Sequence, residues 1–182
     1  ESNHFPAVTS ALVVITSSDG SVDTLIEQED GLYATSHLQG KVGITYTLLV
    51  EIEGNRFTAT STMPRRVELD TAYTSLQTAM GGENRVPILD FQDPGNENNQ
   101  YNLVVKRAGL TLPGFFTVDD DLRDGEFISR PLRNSNFKLQ TGDVLQAELQ
   151  CVDQPVYQYF YVLGQAAGTG MSQSPTPSNP TG

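Results

Sequence analysis

A chain of 182 residues is long enough for one large domain or two small ones, and two is the favoured reading. Hydrophobic residues make up 37% and charged residues 18%, mean hydropathy is -0.31, and no long apolar run occurs, a composition that fits a globular protein and excludes a spanning helix. The net charge of -11, from 22 acidic against 11 basic side chains, argues against nucleic acid as a partner, because phosphate backbones need positive charge to displace their counterions.

The first expected strand is the apolar, β-branched run 7–15 (AVTSALVVI), which leads into the turn Ser17-Ser18-Asp19-Gly20. Residues 21–27 alternate through Val22, Thr24 and Ile26, and Asp30-Gly31 turns the chain into residues 32–35. The clearest element is a hairpin over residues 41–64, KVGITYTLLVEIEGNRFTATSTMP. Val42, Ile44, Tyr46, Leu48, Val50 and Ile52 alternate with mostly polar residues, and Phe57, Ala59, Ser61 and Met63 resume the pattern after Gly54-Asn55. A two-residue Gly54-Asn55 loop pairs Glu53 with Arg56, Ile52 with Phe57 and Val50 with Ala59. Strand follows strand without a helical crossover, as in a sandwich, and Pro64-Arg65-Arg66 closes this first domain, with the boundary within 64–68.

Beyond it, strands are expected over residues 71–79, 86–91 and 101–107, with Gly81-Gly82 and the loop 93–99 (DPGNENN) between them. Residues 111–118 are apolar but interrupted by Pro113-Gly114; an acidic loop, Asp119 to Gly125, then leads into residues 126–129. A strand from Phe137 to the turn Thr141-Gly142-Asp143 pairs with the next long strand, 144–152, in which the lone Cys151 reads as a small core residue. Gln154-Pro155 starts the single helix, expected over 155–163 with Val156, Tyr159, Phe160 and Leu163 on one apolar face, and the remainder, 171–182, reads as an extended or mobile tail. The fold class is therefore all-β, with two immunoglobulin-like sandwich domains, 1–65 and 66–170, and one short helix near the C-terminus.

Catalytic chemistry has no motif behind it. His4 and His37 stand outside any nucleophile pattern, and G-x-S-x-G, H-E-x-x-H, P-loop and dinucleotide fingerprints do not occur. No catalytic, cofactor-binding or metal-binding residue is assigned. Asp119, Asp120, Asp121, Asp124 and Glu126 place hard oxygen ligands in one turn-rich stretch suited to Ca²⁺, yet Arg123 falls at a ligand position of the EF-hand pattern and Gly125 one place late, so a solvated acidic turn is the favoured reading. The loop 93–99 carries similar oxygens. Tyr157, Tyr159, Phe160 and Tyr161 read as docking residues of the helix rather than as a sugar platform.

Several of these stretches together resemble a known family. Gly31-Leu32-Tyr33, GKVGITYTL from Gly40, GNRFTATSTMP from Gly54, Phe91-Gln92-Asp93-Pro94, the acidic loop ending Asp124-Gly125, Lys138 to Asp143, the aromatic segment 157–161 and Pro177-Ser178-Asn179 are similar to Bacteroidetes envelope lipoproteins grouped as domain of unknown function 4249. The resemblance implies a lipid-attached cysteine and a first strand ahead of Glu1, a further strand after Asn179, an immunoglobulin-like first domain, and association with TonB-dependent outer-membrane receptors. It implies no catalytic residue. The expected function is thus a non-enzymatic accessory of an outer-membrane uptake system that binds the transporter or a glycan or other nutrient cargo. The alternatives are a glycan-active hydrolase on an all-β scaffold and a Ca²⁺-stabilised structural or adhesive module.

Overall fold

The computed structural model describes residues 6–79, 82–134 and 137–166, so the C-terminal tail expected over 171–182 lies outside the described residues. Among the described residues, thirteen strands and one helix make an all-β protein with several antiparallel sheets and a short C-terminal helix. The chain divides into two compact units, Glu1–Met63 and Pro64–Gly182.

In the first unit, β1 (Leu12–Ser17), β2 (Val22–Thr24), β5 (Thr45–Ile52) and β6 (Asn55–Thr62) form one antiparallel sheet in the order β2-β1-β5-β6. A separate hairpin joins β3 (Ile26–Glu29) to β4 (Leu32–Ala34). The run 7–11, expected to be strand, is not. Ser10 takes a positive φ of 59°, and side chains satisfy the local backbone: Ser10 N–H donates to Glu27 Oε2 at 2.9 Å and Ala11 N–H to Tyr33 Oη at 2.8 Å. Likewise, residues 21–27 are not one strand but two, because after Leu25, whose N–H still donates to the Val13 carbonyl at 2.9 Å, the chain pairs with β4 instead of β1.

The long hairpin is present with a corrected turn. Its loop is Glu53-Gly54, with φ of 49° and 78°, the left-handed pair a type I′ turn requires, so Ile52 faces Asn55, Glu51 faces Arg56 and Val50 faces Phe57. Compared with a Gly54-Asn55 loop the register moves by two residues, and an even shift leaves every side chain on its expected face. Residues 41–44 lie outside the strand because Gly43 turns the chain at φ 78°.

The second unit contains two facing sheets. One is β12-β8-β7, built from β7 (Thr71–Ala79), β8 (Gly82–Gln92) and β12 (Phe127–Pro131). In the other, β9 (Gln100–Arg107) pairs with β13 (Leu145–Val152) along one edge, and with β10 (Leu110–Thr111) and β11 (Phe116–Asp119) along the other. Leu89 and Phe91 from β8 and Ile128 from β12 meet Tyr101, Leu103 and Val105 from β9 in one core. Phe91 and Tyr101 are fully buried and meet edge to face, with ring centroids 4.8 Å apart.

Three expectations in this unit are corrected. The strand over 86–91 extends to eleven residues, with Pro87 inside it. That proline lies one residue beyond the last β12 pairing, where Leu132 N–H donates to its carbonyl at 2.9 Å. Residues 137–140 form no strand: Gln140 N–H donates to Asp143 Oδ2 at 2.9 Å and Arg107 Nη1 to the Lys138 carbonyl at 3.1 Å, so side chains occupy groups a ladder would use. β13 accordingly pairs with β9 rather than with that segment.

The helix α1 (Gln154–Ala166) starts where Pro155 signals, with Val156 N–H donating to Asp153 Oδ1 at 3.2 Å. Its buried residues are Tyr157 and Gly164, flanked by the half-buried Phe160 and Leu163, while Tyr159 of the expected face is exposed. The helical stripe is rotated so that Tyr157 donates its hydroxyl hydrogen bond to Asp119 Oδ2, which the apolar pattern alone could not indicate.

Candidate functional site

The topology of the second unit brings two loops together. The loop 93–99 carries the chain from β8 to β9, and the loop 120–126 carries it from β11 to β12. Because Phe127 pairs with Gln92 and Asp119 with Gln100, both crossings between the sheets lie side by side at the same end of the strands. These are the two loops that offered clustered oxygens in the sequence.

Asp93, Asp120 and Asp124 converge there, each with a carboxylate oxygen within 4.8 Å of the others. Asp93 and Asp120 are each 1% exposed, whereas Asp124 is at the surface. Fixed donors orient all three. Asp93 Oδ1 accepts from the buried Tyr101 hydroxyl and Oδ2 from Gly125 N–H at 2.9 Å. Asp120 Oδ2 accepts from Asn99 N–H at 2.7 Å, and Asp124 accepts from Asn96 N–H at 2.9 and 3.1 Å through its two oxygens. The loops touch at Gly95 and Gly125. Gly125 has φ 74°, and a Cβ there would stand 3.2 Å from Gly95 Cα, so a glycine meets both requirements.

The electrostatics are unbalanced. Among the described residues, no Lys, Arg or His forms an ion pair with any of the three carboxylates. Burial raises the pKa of Asp120 above its ordinary value, opposed by the Asn99 hydrogen bond and reinforced by the Asp93 charge. Asp120 Oδ1 is buried without a hydrogen-bond partner among the described residues. Tyr101 is likewise pushed up, chiefly by burial and then by its bond to Asp93, so its hydroxyl remains a donor.

The solvated acidic turn expected over residues 119–126 is therefore corrected for part of its length. Asp120 is buried and Asp119 is engaged by Tyr157, leaving Asp121, Asp124 and Glu126 as exposed members. The carboxylate cluster is not local to that loop either, since Asp93 comes from the other crossing. The sequence placed Asp93 in an oxygen-bearing loop but held no information on strand pairing, which is what joins the loops.

A second polar cluster lies in the first unit. Asp23, 2% exposed, accepts from the Thr35 hydroxyl, from Leu38 N–H at 3.3 Å and from Ser36 Oγ at 3.3 Å, with His37 Nδ1 3.6 Å away. Its pKa is lowered, first by the Thr35 bond, against burial, and further by His37. Ser36 Oγ and Asp23 both face the same histidine nitrogen, Nδ1. A nucleophile relay needs them on opposite ring nitrogens, so this cluster pins the loop 35–38 rather than activating the serine.

Cys151 is half-buried against the core, accepts from Val67 N–H at 3.2 Å, and has its thiol pKa pushed up by burial. A cleft of about 300 Å³ lies among β7, β8, β9 and β13, lined by Tyr73, Pro87, Leu89, Val105, Leu145 and Ala147, at the small end of ligand-binding sizes. No described helix is long and apolar enough to cross a membrane.

Compared with known proteins, the chain matches over residues 1–181 the family described as Domain of unknown function (DUF4249), and it belongs to that family. No curated protein and no solved structure matches it.

Proposed function

We propose that this DUF4249 chain is a non-enzymatic lipoprotein of the bacterial cell envelope, an accessory to a TonB-dependent outer-membrane uptake system that binds the transporter or its nutrient cargo. The observation that carries the reading is the family match across residues 1–181; its lipoprotein and envelope part rests on the resemblance drawn from the GKVGITYTL and TATSTMP stretches alone. In this reading a lipid anchor ahead of Glu1 holds the protein to the outer membrane. The charge of -11 argues against nucleic acid as a competing partner.

The glycan-hydrolase alternative draws less support. Glycosidases work with two carboxylates that flank a glycosidic bond, and two of the three clustered carboxylates here, Asp93 and Asp120, are 1% exposed and held by hydrogen bonds. Purification from native envelopes with an affinity tag tests the proposal. Co-purification of an outer-membrane receptor from the membrane fraction is the expected result; a protein found only in soluble fractions without a receptor would overturn it.

A further inference from the structure

We infer that the loops 93–99 and 120–126 hold one calcium ion, coordinated by the carboxylates of Asp93, Asp120 and Asp124. The three oxygens lie within 4.8 Å of one another. Three oxygens at most 4.8 Å apart lie within about 2.8 Å of a common centre, so one ion there reaches all three after the carboxylates draw in by a few tenths of an ångström toward the usual Ca–O distance of roughly 2.3–2.6 Å.

The acidic cluster alone would not establish a site, but the state of Asp120 adds a separate sign. Its side chain is 1% exposed, one oxygen is taken by Asn99 N–H at 2.7 Å, and Oδ1 is left buried with no hydrogen-bond partner. Buried polar atoms are almost always satisfied, and a buried carboxyl beside two other carboxylates finds its partner in a shared proton or in a cation, of which the cation serves all three groups at once. Lone pairs remain on the other two. A carboxylate has about four acceptor positions; Asp93 uses one on each oxygen, and Asp124 shares a single N–H between its two.

Chemistry selects the ion. The donors are all carboxylate oxygens with no His or Cys among them, which favours a hard cation over zinc or copper. Ca²⁺ accepts six to eight oxygens in irregular arrangements and completes its shell with water, whereas Mg²⁺ demands a near-ideal octahedron that two loops pinned by backbone amides do not readily provide. The donors that fix the carboxylates, Tyr101 Oη and the amides of Asn96, Asn99 and Gly125, supply the orienting outer shell such sites use. Exposed Asp124 gives the ion its way in. The site is independent of whether the transporter partnership proposed above is correct.

Calorimetric titration of CaCl₂ into the EDTA-treated and dialysed full chain tests this, with circular dichroism confirming that each variant is folded. One Ca²⁺ per chain is expected, with Asp124→Asn and Asp120→Asn each weakening binding by about tenfold or more. Asp121→Asn, in the same loop but outside the trio, should leave affinity within about twofold, the scatter expected for an exposed change that touches no ligand. Tb³⁺ in place of Ca²⁺ should give Tyr-sensitised luminescence that falls in Tyr101→Phe. No binding by the folded wild type up to about 1 mM, the weak end of protein calcium sites, would overturn the inference. So would affinity unchanged in folded Asp124→Asn, or Mg²⁺ binding as tightly as Ca²⁺.

Discussion

Single side chains divide here into those that hold structure and those with chemistry to spare. Tyr101 belongs to the first group: its ring fills the core against Phe91 and its hydroxyl satisfies Asp93. Tyr101→Phe should destabilise the second unit by about 1–3 kcal/mol, because it leaves a buried acceptor short of a donor, and urea unfolding reads the difference. Cys151 is in the same group. With burial raising its thiol pKa against the opposing hydrogen bond from Val67 N–H, it should react with a thiol reagent far more slowly in the native protein than in urea. Equal rates in both states would show that the strand edge there is open. In the first unit, Asp19, Asp23 and Glu27 all have lowered pKa values, caused chiefly by the Ser17 hydroxyl, the Thr35 hydroxyl and the Ser10 amide respectively. A carboxylate whose folded pKa is depressed stabilises the fold above its unfolded value and loses that contribution as pH falls through the folded one. The first unit should therefore lose stability progressively below about pH 4, and Asp23→Asn should flatten that dependence in a pH series of thermal melts.

Among the elements, the hairpin β5–β6 shows what sequence pattern does and does not specify. The alternation from Tyr46 to Ile52 determined which residues share a face, and Val50 faces Phe57, but that face is not buried on β6, where Phe57 is 60% exposed. The turn was misplaced by one residue because Gly54-Asn55 and Glu53-Gly54 both contain a glycine tolerant of positive φ, and only cross-strand pairing chooses between them. Glu53 pays for that choice with φ 49°. Asn or Gly suits that position better, so Glu53→Asn should raise stability by about 0.5–1 kcal/mol in chemical unfolding. A loss would place the turn elsewhere. The missed elements have a common cause: at residues 7–11 and 137–140, side chains of Tyr33, Glu27, Asp143 and Arg107 take up backbone groups, and hydrophobic periodicity carries no record of such bonds. The helix was legible in position from Gln154-Pro155 but not in rotation, since it is the Tyr157 bond to Asp119 that selects the buried side.

At the scale of the molecule, the two units differ in how firmly their cores are built. The second gathers Leu89, Phe91, Tyr101, Leu103 and Ile128 at 2% exposure or less, whereas Val13 is the buried apolar residue of the first among the described residues. The chemistry follows the firmer unit, where two crossings between sheets bring carboxylates from distant parts of the sequence together. Both loops could be picked out from their oxygen-rich composition; their meeting could not, because it depends on Phe127 pairing with Gln92 and Asp119 with Gln100. Family membership extends over both units and leaves this cluster without an assigned role. The central claim is that a cation completes the cluster and tightens that end of the second unit. Hydrogen exchange of the full chain with and without Ca²⁺ tests it most directly, since the amides of Asn96, Asn99 and Gly125 donate to the three carboxylates. Ca²⁺ should slow exchange at these amides by about tenfold or more and leave β1, β5 and β6 of the first unit unchanged. Equal exchange with and without Ca²⁺ at all three amides would contradict the claim.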